Sequence, residues 1–160
     1  MAGSSIGVAV IGAGMAGRSH AAGYRTAATL YDEGLPEVRL VAIADVNQAF
    51  AADTARRYGY QRAEAGWEAV AAADDVDVVS VVVANPLHRP IVEGLLAAGK
   101  HVLCEKPMAP TVEDAEAMVA AASRPSTISR CNVLATTTLT TSMSGASARA
   151  RQSFSARSYP

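Results

Sequence analysis

Several things are scarce in this sequence of 160 residues. There are two cysteines, one tryptophan and two phenylalanines. Cys104 and Cys131 lie far apart and match no metal-ligand spacing, so neither a disulfide framework nor a metal site is expected. Reduced thiols in the cytoplasm are the corresponding expectation. Long apolar runs are missing too. Apolar stretches such as Ile6–Ala13 and Val81–Ala84 fall well short of the ~20 residues needed to cross a membrane. No cationic segment precedes Ile6–Ile11, and glycines interrupt the apolar stretch beyond it, so no secretory signal is read there.

One absence divides the chain. Residues 124–160 contain no Asp or Glu, but five arginines, and Ser and Thr make up 14 of those 37 residues. Residues 1–123 hold all 15 acids and nine of the 14 Lys and Arg, a net charge of −6. The first part has the apolar content of a buried core, so residues 1–123 are expected to form one domain. The basic tail at 124–160 has the composition of a segment that does not pack. A net-negative body does not suit nucleic-acid binding, and the tail's arginines lack interleaved aromatics.

Within the body, strand-like and helix-like segments alternate. Ile6–Ile11 (IGVAVI) is short, β-branched and closed by glycine, as a buried strand would be. Met15–Glu33 reads as a helix interrupted by Gly23, broken at Gly34-Leu35-Pro36. Val38–Ala44 predicts a second strand ending at Asp45. Asn47 caps a helix over Gln48–Tyr58, which Gly59 stops. Tyr60–Arg62 fits a short third strand, and Gly66–Ala73 a short helix carrying Trp67. Asp77–Ala84 (DVVSVVVA) is the most strand-like segment. A helix over Leu87–Ala98 closes at Gly99, and Lys100–Cys104 is a further strand. Thr111 and Asp114 form a capping box for Thr111–Ala122. Such alternation predicts an α/β fold, a Rossmann-type doubly wound parallel sheet.

Gly12-Ala13-Gly14-Met15-Ala16-Gly17 is G-x-G-x-x-G, placed between the first strand and the first helix. In that context Gly12 allows the tight turn, Gly14 admits a pyrophosphate and Gly17 lets helix and strand pack closely. Met15 and Ala16 lie in the first helical turn, where free N–H groups and the helix dipole attract phosphate. Asp45, 28 residues past Gly17, ends the second strand, where an acid can accept from the adenosine ribose hydroxyls. No arginine directly follows it, which favours NAD over NADP.

Two further groups come after strands: Asn85-Pro86-Leu87-His88, and Glu105-Lys106-Pro107. Ligands in doubly wound sheets bind at that carboxyl edge. Strand–GAGMAG–helix, Asp45, N-P-x-H at 85–88 and GKHVLCEKP at 99–107 together resemble the glucose–fructose oxidoreductase / inositol dehydrogenase / MocA (Gfo/Idh/MocA) family. The likeness covers residues 6–122. It implies an oxidoreductase moving hydride between a sugar or polyol hydroxyl and NAD. By the same resemblance, Asn85 and His88 lie beside the nicotinamide half. Glu105 lies on its ribose, and Lys106 near the reacting carbinol. His88 and Lys106 are then the catalytic candidates.

The family's second, substrate-binding domain has no counterpart after Ser123. A chain truncated or shifted out of frame near Ser123 is the expectation, and with it little turnover from this chain alone. The competing reading is a stand-alone NAD-binding module. The charge pattern and the short apolar stretches lead to no expected nucleic-acid or membrane partner, and a homo-oligomer is possible.

Overall fold

The apolar runs become parallel strands because they are buried on both faces. In a computed structural model of the chain, residues 5–30 and 35–123 are described. The expected tail at 124–160 lies outside the described residues. Strands β1 (Ser5–Ile11), β2 (Glu37–Ala44), β3 (Arg62–Glu64), β4 (Val78–Val81) and β5 (His101–Cys104) form one sheet. Its order is β3-β2-β1-β4-β5, with every pair parallel. That is the Rossmann order, and the order reverses between β1 and β4.

Alternate residues of each strand serve opposite faces. Val8, Val10 and Ile43 pack with Ala21 of α1 (Met15–Leu30) and with Ala51 and Ala55 of α2 (Gln48–Tyr58). Ala9, Val79, Val81 and Val102 face the other way. They meet α3 (Trp67–Ala72), α4 (His88–Ala97) and α5 (Val112–Ala122) through Val70, Leu95 and Met118. Leu95 is fully buried, and burial of such a side chain contributes about 1.5–3 kcal/mol.

The caps follow the expected chemistry. Asn47 accepts from the N–H groups of Ala49 and Phe50, and Gly59 closes α2 at φ 77°. Thr111 Oγ1 accepts from Asp114 N at 3.1 Å. The reciprocal half of the expected box is absent, because the Asp114 carboxylate takes the Thr111 hydroxyl and Arg89.

Several boundaries differ from expectation. β3 begins at Arg62, because Tyr60 turns into the core, 6% exposed. β4 ends at Val81, where the chain passes over Gly12. Residues 85–87 form a 3-10 turn around Pro86 before α4 starts at His88. β5 begins after Lys100, whose ammonium is drawn inward to the carbonyls of Ala73 and Val76. A cation at the end of α3 is favoured by the helix dipole. No described helix is long and apolar enough to cross a membrane.

Candidate dinucleotide site

Because all five strands are parallel, the loops that leave them share one edge. The glycine loop leaves β1, Asp45 leaves β2, Asn85 comes after β4, and Glu105-Lys106 after β5. The topology thus gathers the expected site residues at the switch point.

The three loop glycines meet three different surroundings. Gly12 has φ 103°, and a Cβ there would stand 2.1 Å from the Val82 carbonyl oxygen. A Cβ on Gly17 would lie 1.7 Å from the Gly12 oxygen, so α1 can approach β1 only through glycine. A Cβ on Gly14 would meet nothing within 4 Å. The first two glycines are demanded by the protein itself. Gly14 is exposed and borders open space, as a glycine leaving room for a ligand should. Met15 and Ala16 are exposed beside it, at a helix end whose first N–H groups lack acceptors one turn back.

Asp45 is tied to this loop. Its Oδ2 accepts from Ala13 N at 2.7 Å and its Oδ1 from Asn47 N at 2.8 Å. An ionised carboxylate offers about four lone-pair sites, so two remain for ribose hydroxyls. Beside it opens a cavity of about 570 Å³, bordered by Gly12, Gly14, Trp67, Leu87 and Ile91. Its charged lining residues are Asp45 and Glu68, and none is a cation. Asn85 adds a buried Oδ1 without a hydrogen-bond partner among the described residues. The open space at Gly14, the acids by the cavity and this spare acceptor all fit a dinucleotide.

With that geometry in place, comparison with known proteins decides the family. The family described as "Oxidoreductase family, NAD-binding Rossmann fold" (Gfo/Idh/MocA) matches residues 6–133. The chain belongs to this family. It is 36% identical over 116 residues to levoglucosan dehydrogenase of Pseudarthrobacter phenanthrenivorans, covering 71% of this chain and 29% of that protein. It is 35% identical over 116 residues to inositol 2-dehydrogenase of Rubrobacter xylanophilus, covering 72% and 31%. The solved levoglucosan dehydrogenase complex with NADH superposes with a TM-score of 0.71 at 32% identity, covering 74% of this chain and 32% of that one. The chain therefore spans about a third of the length of these relatives.

In this NAD-binding domain of the Gfo/Idh/MocA family, one of the expected site residues is buried. His88 is 1% exposed. Its Nδ1 lies 3.0 Å from the Met108 carbonyl and its Nε2 3.1 Å from the Val83 carbonyl. A general acid or base must reach the proton it transfers. This ring is enclosed by backbone rather than open to solvent. It instead ties the loop after β5 to the end of β4. Lys106, by contrast, is exposed at that loop.

Glu105 is half-buried. Its Oε2 accepts from the Lys106 backbone N–H, and that bond holds its carboxyl below the usual carboxylate range against the opposing effect of burial. His20 also contributes, with Nε2 at 3.5 Å from Oε1. Burial, then the Glu105 charge, pushes the neighbouring Cys104 thiol up to about 11.

Sequence reasoning missed three participants. Ser80 is fully buried in β4, and its signal was one polar residue inside VVSVVVA. His20 lies on α1, three residues past the glycine motif. Gly94 sits inside α4, where glycine is unfavourable; a Cβ there would lie 2.4 Å from Trp67 Cζ3. That contact seats the tryptophan at the cavity wall.

Proposed function

We propose that this chain binds NAD along the carboxyl edge of its sheet and serves hydride transfer at a sugar or polyol carbon. The observation that carries the reading is the gathering of the glycine loop, Asp45, Asn85 and Glu105-Lys106 at one switch point. Gly12, Gly14, Met15, Ala16 and Gly17 hold the pyrophosphate, and Asp45 holds the adenosine ribose. The acidic cavity disfavours the additional phosphate of NADP. Asn85 and Glu105 serve the nicotinamide half.

Nicotinamide, when bound, supplies the hydride acceptor or donor. Lys106 handles the proton. An amine there takes the hydroxyl proton in the oxidative direction, and the ammonium returns it in the reductive one. The ammonium also stabilises negative charge on the substrate oxygen, more strongly where water is excluded. His88 acts only by holding the Lys106 loop in place. Residues 1–123 form the nucleotide-binding domain in this reading, and the substrate contacts come from outside it. A cytoplasmic setting without nucleic-acid or membrane partners accords with the acidic body and the sparse cysteines.

Calorimetry with NAD and NADP tests the first part, and NADH production across a panel of polyols and sugars tests the second. NAD binding, weaker NADP binding and NADH production once a related enzyme's substrate domain is supplied are expected. Equal affinity for NADP would overturn the role of Asp45. A second reading, an NAD-binding module without turnover, draws on the exposure of Lys106. It predicts that supplying the remainder of a related enzyme's substrate domain restores no activity.

A further inference from the structure

A polar chain crosses the otherwise apolar contact between α1 and the sheet. Tyr24 Oη lies 2.9 Å from Ser80 Oγ. Ser80 Oγ lies 3.2 Å from His20 Nδ1. His20 Nε2 faces Glu105 Oε1 at 3.5 Å. Ser80 is the only polar residue of β4 and is fully inaccessible to water. A hydroxyl in such a place needs partners, and it has two.

Proton bookkeeping gives the chain one direction. An ionised carboxylate only accepts, so the Nε2 facing Glu105 carries the proton. In the neutral ring Nδ1 then accepts, and the Ser80 hydroxyl donates its single proton there. Tyr24 must donate to Ser80 in turn. Each donor then points toward Glu105, and the Ser80 and Tyr24 hydroxyls, which can both donate and accept, match the His20 tautomer that the carboxylate requires.

We propose that His20 is a positioning residue for Glu105. With its ring fixed by Ser80 and Tyr24, it aims the carboxylate at the ribose on the nicotinamide side and so raises affinity for that half of the dinucleotide. This rests on the reading of Glu105 given under Proposed function. In this proposal His20 has no direct part at the reacting atoms. It works through the carboxylate. Glu105 has its second anchor in the Lys106 N–H, so its two oxygens are held from two sides.

The test compares NAD with ADP, which lacks the second ribose, by calorimetry on the full 160-residue chain. In the parent, NAD should bind more tightly than ADP. His20→Phe should weaken NAD about tenfold, the scale of one hydrogen bond to a charged group, and leave ADP within about twofold. His20→Gln keeps an N–H near the Nε2 position and should recover most of the loss. Ser80→Ala removes only a hydroxyl from the strand and should weaken NAD about threefold, again sparing ADP. If His20→Phe does not fold, ADP binding disappears with NAD binding, and Ser80→Ala with Tyr24→Phe decides. Equal weakening of NAD and ADP, or no recovery in His20→Gln, would overturn the positioning role. So would a parent chain that binds NAD no better than ADP. Failure of the parent to bind ADP would overturn the cofactor reading, and this inference with it.

Discussion

The two ends of the carboxyl edge are built by different means. At the glycine-loop end the backbone does most of the holding. Gly12 N donates to the Ala44 carbonyl, Ala13 N to Asp45, and Gly17 lies against Gly12. At the Glu105–Lys106 end, side chains from other elements hold the loop. His88 grips the Met108 carbonyl and His20 approaches Glu105, while Lys106 extends into water. A phosphate grip made of N–H groups and a helix dipole works at an open surface. An ammonium meant to stabilise an alkoxide works best in a dry one. One end is held by its own backbone, and the other by side chains of neighbouring elements with its ammonium in water.

The contrast between the two ends breaks most sharply at Gly14. Gly14→Val should reduce NAD affinity at least about a hundredfold by filling the pyrophosphate's space, with the fold intact. Unchanged circular dichroism and thermal midpoint beside a lost calorimetric signal is the expected pair. Unchanged affinity would show that the loop does not grip phosphate.

At the other end the first loss should be of order rather than binding. His88→Leu leaves the Val83 and Met108 carbonyls without the imidazole and should lower stability by about 2 kcal/mol in urea. Faster amide exchange should be concentrated in residues 105–110. A loss spread evenly over the sheet would mean that His88 is ordinary core.

Asp45→Asn sharpens the contrast by changing charge without changing shape. NAD should weaken about tenfold, as expected for hydrogen bonds to a charged acceptor. NADP should weaken less, narrowing the ratio between them. A ratio that stays constant in parallel titrations would place the selectivity elsewhere.

The smallest effect concerns pH. The Glu105 carboxyl titrates below its ordinary value in the folded chain, first because of the Lys106 N–H. A depressed folded value contributes stability above the unfolded value near ~4.3, and that contribution is lost only as pH falls through the folded one. Between pH 5 and 8 the charge on Glu105 should therefore stay constant. A carbon-detected titration of its carboxyl should show no midpoint in that window, and a midpoint above pH 5 would contradict the described hydrogen bonds.

Much of this was legible along the chain. The β-branched runs, the G-x-G-x-x-G motif after the first of them, Asn47 and Gly59 as caps, and Asp45 at a strand end all report local requirements. Steric limits and hydrogen-bond needs over a few residues suffice to read them. Boundaries were less legible, because Tyr60 and Lys100 leave their segments for partners distant in sequence. His88 shows the limit most clearly. Its place in N-P-x-H suggests chemistry, yet its burial depends on Met108, 20 residues away.

Residue order alone was enough for the alternation of strands and helices, the sterically obligatory glycines and the family. Each of these is a matter of local patterning or of a motif read in order. Which histidine is sealed and which faces a carboxylate was settled only when the elements packed together. The same packing joined Tyr24, Ser80, His20 and Glu105 into one chain and put Trp67 against Gly94. Those pairings link residues on separate elements, so α1 and α4 had to dock on the sheet before any of them could form.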